Sequence, residues 1–130
     1  MPLYWTIDSR QRLMTATADG GVRKDEVLAF LNVMIGAQAG NYRRLFDGSQ
    51  GEALMTEDEI MELVAEMRRL QILGQPGPLA VIMPSEKFEQ FARVLGVLAV
   101  PERPLRFFTD VQSGRAWLDQ PEVRDWRGSR

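Results

Sequence analysis

The sequence predicts a small α/β domain: a five-stranded, mostly parallel sheet with an antiparallel amino-terminal edge strand and four helices. Three observations carry that expectation. After an opening pair of strand patterns, every further strand is separated from the next by a segment of helical period. Leu79-Ala80-Val81-Ile82-Met83 has no polar member, as in a central strand covered on both faces. Thr56, with Glu59 three residues on, forms a capping box that marks a helix start immediately after a short apolar strand.

Taken in order, Leu3 to Asp8 alternates Tyr4 and Thr6 with Trp5 and Ile7, as a half-buried strand does. The polar connection Asp8-Ser9-Arg10-Gln11 is short enough to pair it with a second strand, Arg12 to Ala18, in an antiparallel hairpin. Asp19-Gly20-Gly21 is expected to break that strand. From Lys24 to Gly36, Val27, Leu28, Phe30, Leu31, Met34 and Ile35 make one apolar helix face, with Asp25 and Glu26 at the amino end where the helix dipole favours them. The small-residue loop Gly36 to Asn41 ends it.

Tyr42 to Asp47 is read as the third, parallel strand, with Leu45 and Phe46 its buried pair. In Gly48-Ser49-Gln50-Gly51 the glycines allow either close backbone approach to a ligand or a plain connecting loop. The second helix starts at the Thr56 cap, with Met55 and Ile60 placed as a hydrophobic staple. Ile60, Leu63, Val64, Met67, Leu70 and Leu73 form its apolar face, and Glu66 and Arg69 an attracting pair on the wet side. Gly74 to Pro78 turns the chain into the fourth strand. Ser85 is expected to cap a third helix faced by Phe88, Phe91, Ala92, Leu95 and Ala99 and closed by Pro101 and Pro104. Leu105 to Thr109 is the fifth strand, Asp110 a cap, and Val111 to Leu118 the fourth helix. The domain is thus expected to span residues 1–119. Residues 120–130 read as a polar tail in which Pro121 stops the helix and Trp126 either docks or frays.

Composition excludes more than it suggests. With 18 acidic and 16 basic side chains there is no electrostatic footprint for nucleic acid. No apolar run reaches the ~18 residues of a membrane span, and Met1-Pro2-Leu3 runs into a strand pattern, so the expected location is cytoplasmic. Without cysteine or histidine, thiolate nucleophiles, zinc ribbons and Ser-His-Asp arrangements are absent. No GxGxxG or P-loop pattern occurs, and neither a cofactor nor a metal is implied.

The element order resembles that of the SpoIIAA-like family, whose fold is shared with STAS domains and the lipid-binding part of CRAL-TRIO proteins. The resemblance spans Leu3 to about Asp119. It rests on Phe46-Asp47-Gly48-Ser49 ending the third strand, Val81-Ile82-Met83-Pro84 ending the fourth, and Phe107-Phe108-Thr109-Asp110 followed by Ala116-Trp117-Leu118. It implies a non-enzymatic, protein-binding regulatory module. In the family's anti-sigma factor antagonists a serine after an aspartate, at the end of strand three and the start of helix two, is phosphorylated, and Ser49 is its counterpart here. A glycine separates Ser49 from Asp47, however, and Glu52, Glu57, Asp58 and Glu59 surround the helix start with charge that repels a phosphate.

Several functional readings follow. The first is a protein-interaction surface made of Asp47, Gly48, Ser49, Gln50, Thr56 and Glu57, with a partner that the sequence does not name. A second is a carrier of a small apolar or lipid-like ligand lined by Met34, Met55, Met61, Met67 and Met83, residues that serve equally as core. The phosphorylation switch at Ser49 is a third. A fourth is an enzyme in which Asp47 and Asp110 hold a magnesium ion or form a proton-transfer pair, although aspartates at strand ends are more often turn formers or helix caps. Arg43, Arg44, Arg68 and Arg69 form either an anion patch or a solvated surface. A homodimer through the sheet or through Trp126 is a further expectation.

Overall fold

A computed structural model describes residues 3–39, 41–71, 77–89 and 104–126. Five strands, β1 (Leu3–Asp8), β2 (Leu13–Val22), β3 (Arg43–Ala53), β4 (Leu79–Ile82) and β5 (Leu105–Phe108), lie side by side in chain order. β1 runs antiparallel to β2, and all later neighbours are parallel. Helices α1 (Lys24–Gly36), α2 (Glu57–Gln71) and α3 (Val111–Leu118) stand at the expected places, and α4 (Pro121–Arg124) is a short final turn. The predicted α/β class, with its antiparallel edge strand, is the architecture found. Leu73, the turn at residues 74–76 and Phe91, Ala92, Leu95, Ala99 and Pro101 lie outside the described residues, as do the side chains of Val64, Met67, Arg68 and Leu70.

The strand alternation decides which helix covers which face. Leu3, Ala16, Ala18 and Val22 pack with Trp5, Val27, Phe30 and Phe46, while Met14, Leu31, Met34, Ala39 and Tyr42 pack with Ile7. That is the α1 side. On the opposite face Leu13, Leu45, Ala80 and Ile82 lie under Trp117 and Leu118 of α3. Trp5 meets Phe30 at 5.4 Å between ring centroids, and Phe108 meets Trp117 at 5.7 Å, so each layer is pinned by an aromatic pair.

Three local expectations are corrected. Asp19-Gly20-Gly21 does not end β2: a register shift between Thr17 and Asp19, with Gly20 at φ +88°, absorbs an irregularity and lets the strand run on to Val22. The loop Gly36 to Asn41 ends α1 as expected, and its left-handed residue is Gln38 (φ +55°). Its N–H bonds Ile35 O at 2.9 Å and the N–H of Ala39 bonds Met34 O at 3.0 Å, completing a Schellman closure. Ser85 caps nothing with its side chain, because it already lies inside a 3₁₀ turn, Ser85–Lys87, that follows Pro84. Pro121 opens α4 instead of leading into a tail, since a proline needs no N–H at a first helical position, and Val123 behind it is 5% exposed in the α3-side core. Trp126 is half-buried, with its N–H on Val123 O.

Among the described residues Arg43 is the one buried charge, 5% exposed. Its Nη1 donates to Leu118 O at 2.7 Å and to Asp119 Oδ1 at 2.9 Å, and its Nη2 donates to Gln11 O at 2.9 Å. The cation therefore sits at the carboxyl end of α3, where the helix dipole favours it, and ties that end to the β1–β2 turn. The same turn is fixed by Asp8, whose Oδ1 accepts from the N–H groups of Arg10 and Gln11. Replacing the guanidinium takes this donor from the buried Leu118 carbonyl and from the partly buried Gln11 carbonyl. Arg43→Met is expected to lower stability by about 2–4 kcal/mol in urea unfolding, with Arg43→Lys recovering only part because it lacks the planar fork. Equal stability of Arg43→Met and wild type would remove Arg43 from this role.

Gly114 is the contact point of α3 with β4. A β-carbon built there lies 2.6 Å from Ile82 Cδ1 and 3.5 Å from Ala80 Cβ. Gly114→Ala is expected to destabilise by about 1–2 kcal/mol through overpacking, although alanine is the better helix former. In an Ile82→Val background, which lacks the clashing methyl, the loss shrinks; strict additivity of the two changes in a double-mutant cycle would refute this packing account.

Candidate functional site

Asp47 stands where β3 leaves β4. The β3–β4 ladder ends with Asp47 opposite Ile82, but β3 continues through residues 48–53 beside β2 alone. This corrects the expected strand end at Asp47 and the loop at Gly48-Ser49-Gln50-Gly51. β4 is four residues long, whereas β2 is ten residues long and carries its neighbour onward. The glycine at position 51 fits the strand by close approach: a β-carbon there would lie 2.5 Å from Ala18 Cβ.

Within this extension Asp47 Oδ1 accepts from the Ser49 N–H at 3.1 Å and from Ser49 Oγ at 2.6 Å. Asp47, Gly48 and Ser49 are half-buried, and Gln50 is exposed. β3 reaches Ala53, and a short connection leads to α2. There the capping box forms as predicted: Thr56 Oγ1 accepts from Glu59 N–H at 3.2 Å, and Glu59 Oε1 accepts from Thr56 N–H at 3.0 Å. Such a cap contributes about 1 kcal/mol. Thr56 and Glu57 are exposed, and Glu57, Asp58 and Glu59 crowd the first turn. The structure thus joins Asp47 to Ser49 directly, while Thr56 and Glu57 belong to the separate start of α2.

Register adds a feature that the sequence alone did not expose. Tyr4 lies opposite Thr17, and Thr17 opposite Asp47, so the three make one row across β1, β2 and β3 on the face that α3 covers farther along the sheet. Tyr4 is 53% exposed. The only signal for this row was the shared alternation of Tyr4 and Thr6 with Thr15 and Thr17, which becomes informative once the pairing register is known.

The other candidates disperse. Asp110 is a helix cap, with Oδ1 accepting from Ser113 N–H at 2.7 Å and Oδ2 from Ser113 Oγ at 3.0 Å, so it and Asp47 are each engaged locally. Among the described residues no group of three or more acidic side chains is placed to hold a metal ion. Met34 and Met83 are buried, Met55 half-buried and Met61 51% exposed, so these methionines do not share one lining. Arg43 and Arg44, adjacent on a strand, project to opposite faces, and Arg69 is paired with Glu66. No helix among the described residues is long and apolar enough to cross a membrane.

Helix α2 is tethered to α1 by an ion pair between Lys24 and Glu62. The hydrogen bond to Glu62, helped by attraction to Glu62 and Glu59, raises the Lys24 pKa above 10.5 against a smaller loss of hydration. A raised folded-state value means that this contribution is complete below the unfolded lysine pKa and vanishes as pH rises through the folded one. The stability deficit of Lys24→Met is therefore expected to be present at neutral pH and to disappear in strongly alkaline buffer. Urea midpoints measured across that range check it, and a deficit independent of pH would exclude the ion pair as its source.

This arrangement of strands and helices defines a SpoIIAA-like, STAS-like fold. The chain is similar over 89% of its length to an uncharacterized protein of the DUF3478 family with a SpoIIAA-like fold from Shewanella loihica PV-4, at a TM-score of 0.66 and 16% identity, covering 93% of that chain. It is also similar over 89% of its length to the anti-sigma factor antagonist SpoIIAA in its unphosphorylated form, at a TM-score of 0.57 and 12% identity, covering 96% of that chain. No family model matches the sequence, and no curated protein matches it.

Proposed function

We propose that the chain is a non-enzymatic regulatory module that binds a protein partner through the β3 extension and the start of α2, with Asp47, Gly48, Ser49, Gln50, Thr56 and Glu57 at the contact. The observation that carries this reading is that β3 outruns β4, so residues 48–53 have a strand neighbour on one side only among the described residues. A strand edge of that kind binds extended segments by main-chain hydrogen bonds. The fold shared with an anti-sigma factor antagonist supports a regulatory role.

Phosphorylation of Ser49 is the second reading, favoured by the serine–aspartate contact. Two features oppose it. Ser49 lies inside a strand, away from the donors of a helix amino terminus, and a phosphate on Oγ would sit against the Asp47 carboxylate that now accepts from it. Phosphate mapped to Ser49 in protein from its own host, and lost in Ser49→Ala, would establish this reading over the first.

The binding surface is tested by affinity capture from host extract, comparing wild type with Gln50→Arg/Glu57→Arg and with the remote control Gln112→Arg. The expected outcome is at least a tenfold weaker hold on a partner in the double variant, corresponding to ~1.4 kcal/mol, and none in the control. An unchanged set of partners across all three proteins would refute the surface.

A further inference from the structure

We propose that β1 is the seam of a two-fold homodimer in which the two sheets join edge to edge through antiparallel pairing of β1 with itself. All six residues of β1 pair with β2 in an unbroken register. In an antiparallel ladder alternate residues turn both backbone groups toward the neighbour and the others turn both away. β1 is the outermost strand, so the second set points out of the sheet.

Natural sheet edges are blunted by proline, lysine, bulges or brevity. The opposite edge of this sheet follows that rule, since β5 has four residues and carries exposed Arg106. β1 does not. It contains no proline, glycine or lysine and has no bulge, and its one charge, Asp8, is at its end and engaged with the turn. An edge left in this form is a template for another strand.

The sequence of β1 indicates a second copy as that strand. A two-fold axis normal to the sheet keeps faces together, so residues of equal parity must pair. With the axis at Trp5, Leu3 stands opposite the partner's Ile7, Tyr4 opposite the partner's Thr6, and Trp5 opposite the partner's Trp5. Apolar side chains then meet on the α1 side of the seam, and on the other side Tyr4, 53% exposed, gains an aromatic–β-branched cross-strand pair. Asp8 falls outside the overlap on both copies, so no like charges face each other. A one-residue slip would set each apolar side chain against a polar one.

Sedimentation velocity over a concentration series on the wild-type chain is expected to show a reversible dimer with twice the 14.8 kDa chain mass. Tyr4→Lys/Thr6→Lys changes exposed side chains only and places lysine opposite lysine on both sides of the axis; it is expected to be monomeric. Tyr4→Lys/Thr6→Glu places opposite charges there and is expected to restore the dimer, which also shows that lysine at position 4 is compatible with folding. A wild-type chain that stays monomeric into the high micromolar range leaves the edge to a strand of some other protein and overturns the proposal. A dimeric Tyr4→Lys/Thr6→Lys protein also overturns it, and a monomeric Tyr4→Lys/Thr6→Glu protein overturns the register centred on Trp5.

Discussion

The fold depends on where the Arg43 guanidinium is buried. Removing a cation from water is costly unless its donors are met, and here they are met by two main-chain carbonyls and a carboxylate drawn from opposite ends of the chain. That geometry is possible only if α3 lies across the face that carries Leu13 and Leu45, with its carboxyl end above the β1–β2 turn. Arg115 strengthens the same corner, its Nη2 donating to Gln11 Oε1 at 2.6 Å while Asp119 lies between the two guanidinium groups. The apolar contacts of Trp117 and Leu118 supply the burial; Arg43 sets the orientation in which they make it.

Strand length then separates the sheet into two regions. β4 and β5, four residues each, hold the part covered by α3. β2 and β3 extend past them and past the start of β1, so the sheet continues there as a two-stranded parallel ribbon. Parallel strands are ordinarily covered on both faces. Here the α1 side is covered, with Val22 packed against Val27, and the pair is further stabilised by close approach at Gly51 and by the Leu54 side chain lying over Gly21, features that sit beside the residues of the proposed contact.

Sequence patterns conveyed the fold well and the site poorly, for physical reasons visible at particular residues. Period and capping identified α1, α2, α3 and all five strand starts to within one residue, the helix starts because the Thr56–Glu59 box and the Asp110 cap are local interactions that need no tertiary context. The runs Asp19-Gly20-Gly21 and Gly48-Ser49-Gln50-Gly51 read as strand breakers because glycine and aspartate are poor strand formers in isolation. Each nevertheless persists as a strand because the other is its neighbour, a non-local fact. Arg43 read as a surface residue because arginine is rarely buried; its carbonyl partners lie 32 and 75 residues away and leave no trace in local spacing.

The sequential order of the strands also bears on how the chain assembles as it is made. Because every strand lies beside the one before it, each pairing closes over the shortest connection available, and the loop-closure entropy is met in small steps. The exception is the corner around Arg43, whose helix partner is supplied only when Leu118 and Asp119 have been synthesised. Until then the nascent sheet must keep that guanidinium hydrated and the Leu13–Leu45 face open to solvent. The amino-terminal strands can therefore pair early on the ribosome, but the buried charge that fixes the final packing can be enclosed only after α3 has emerged.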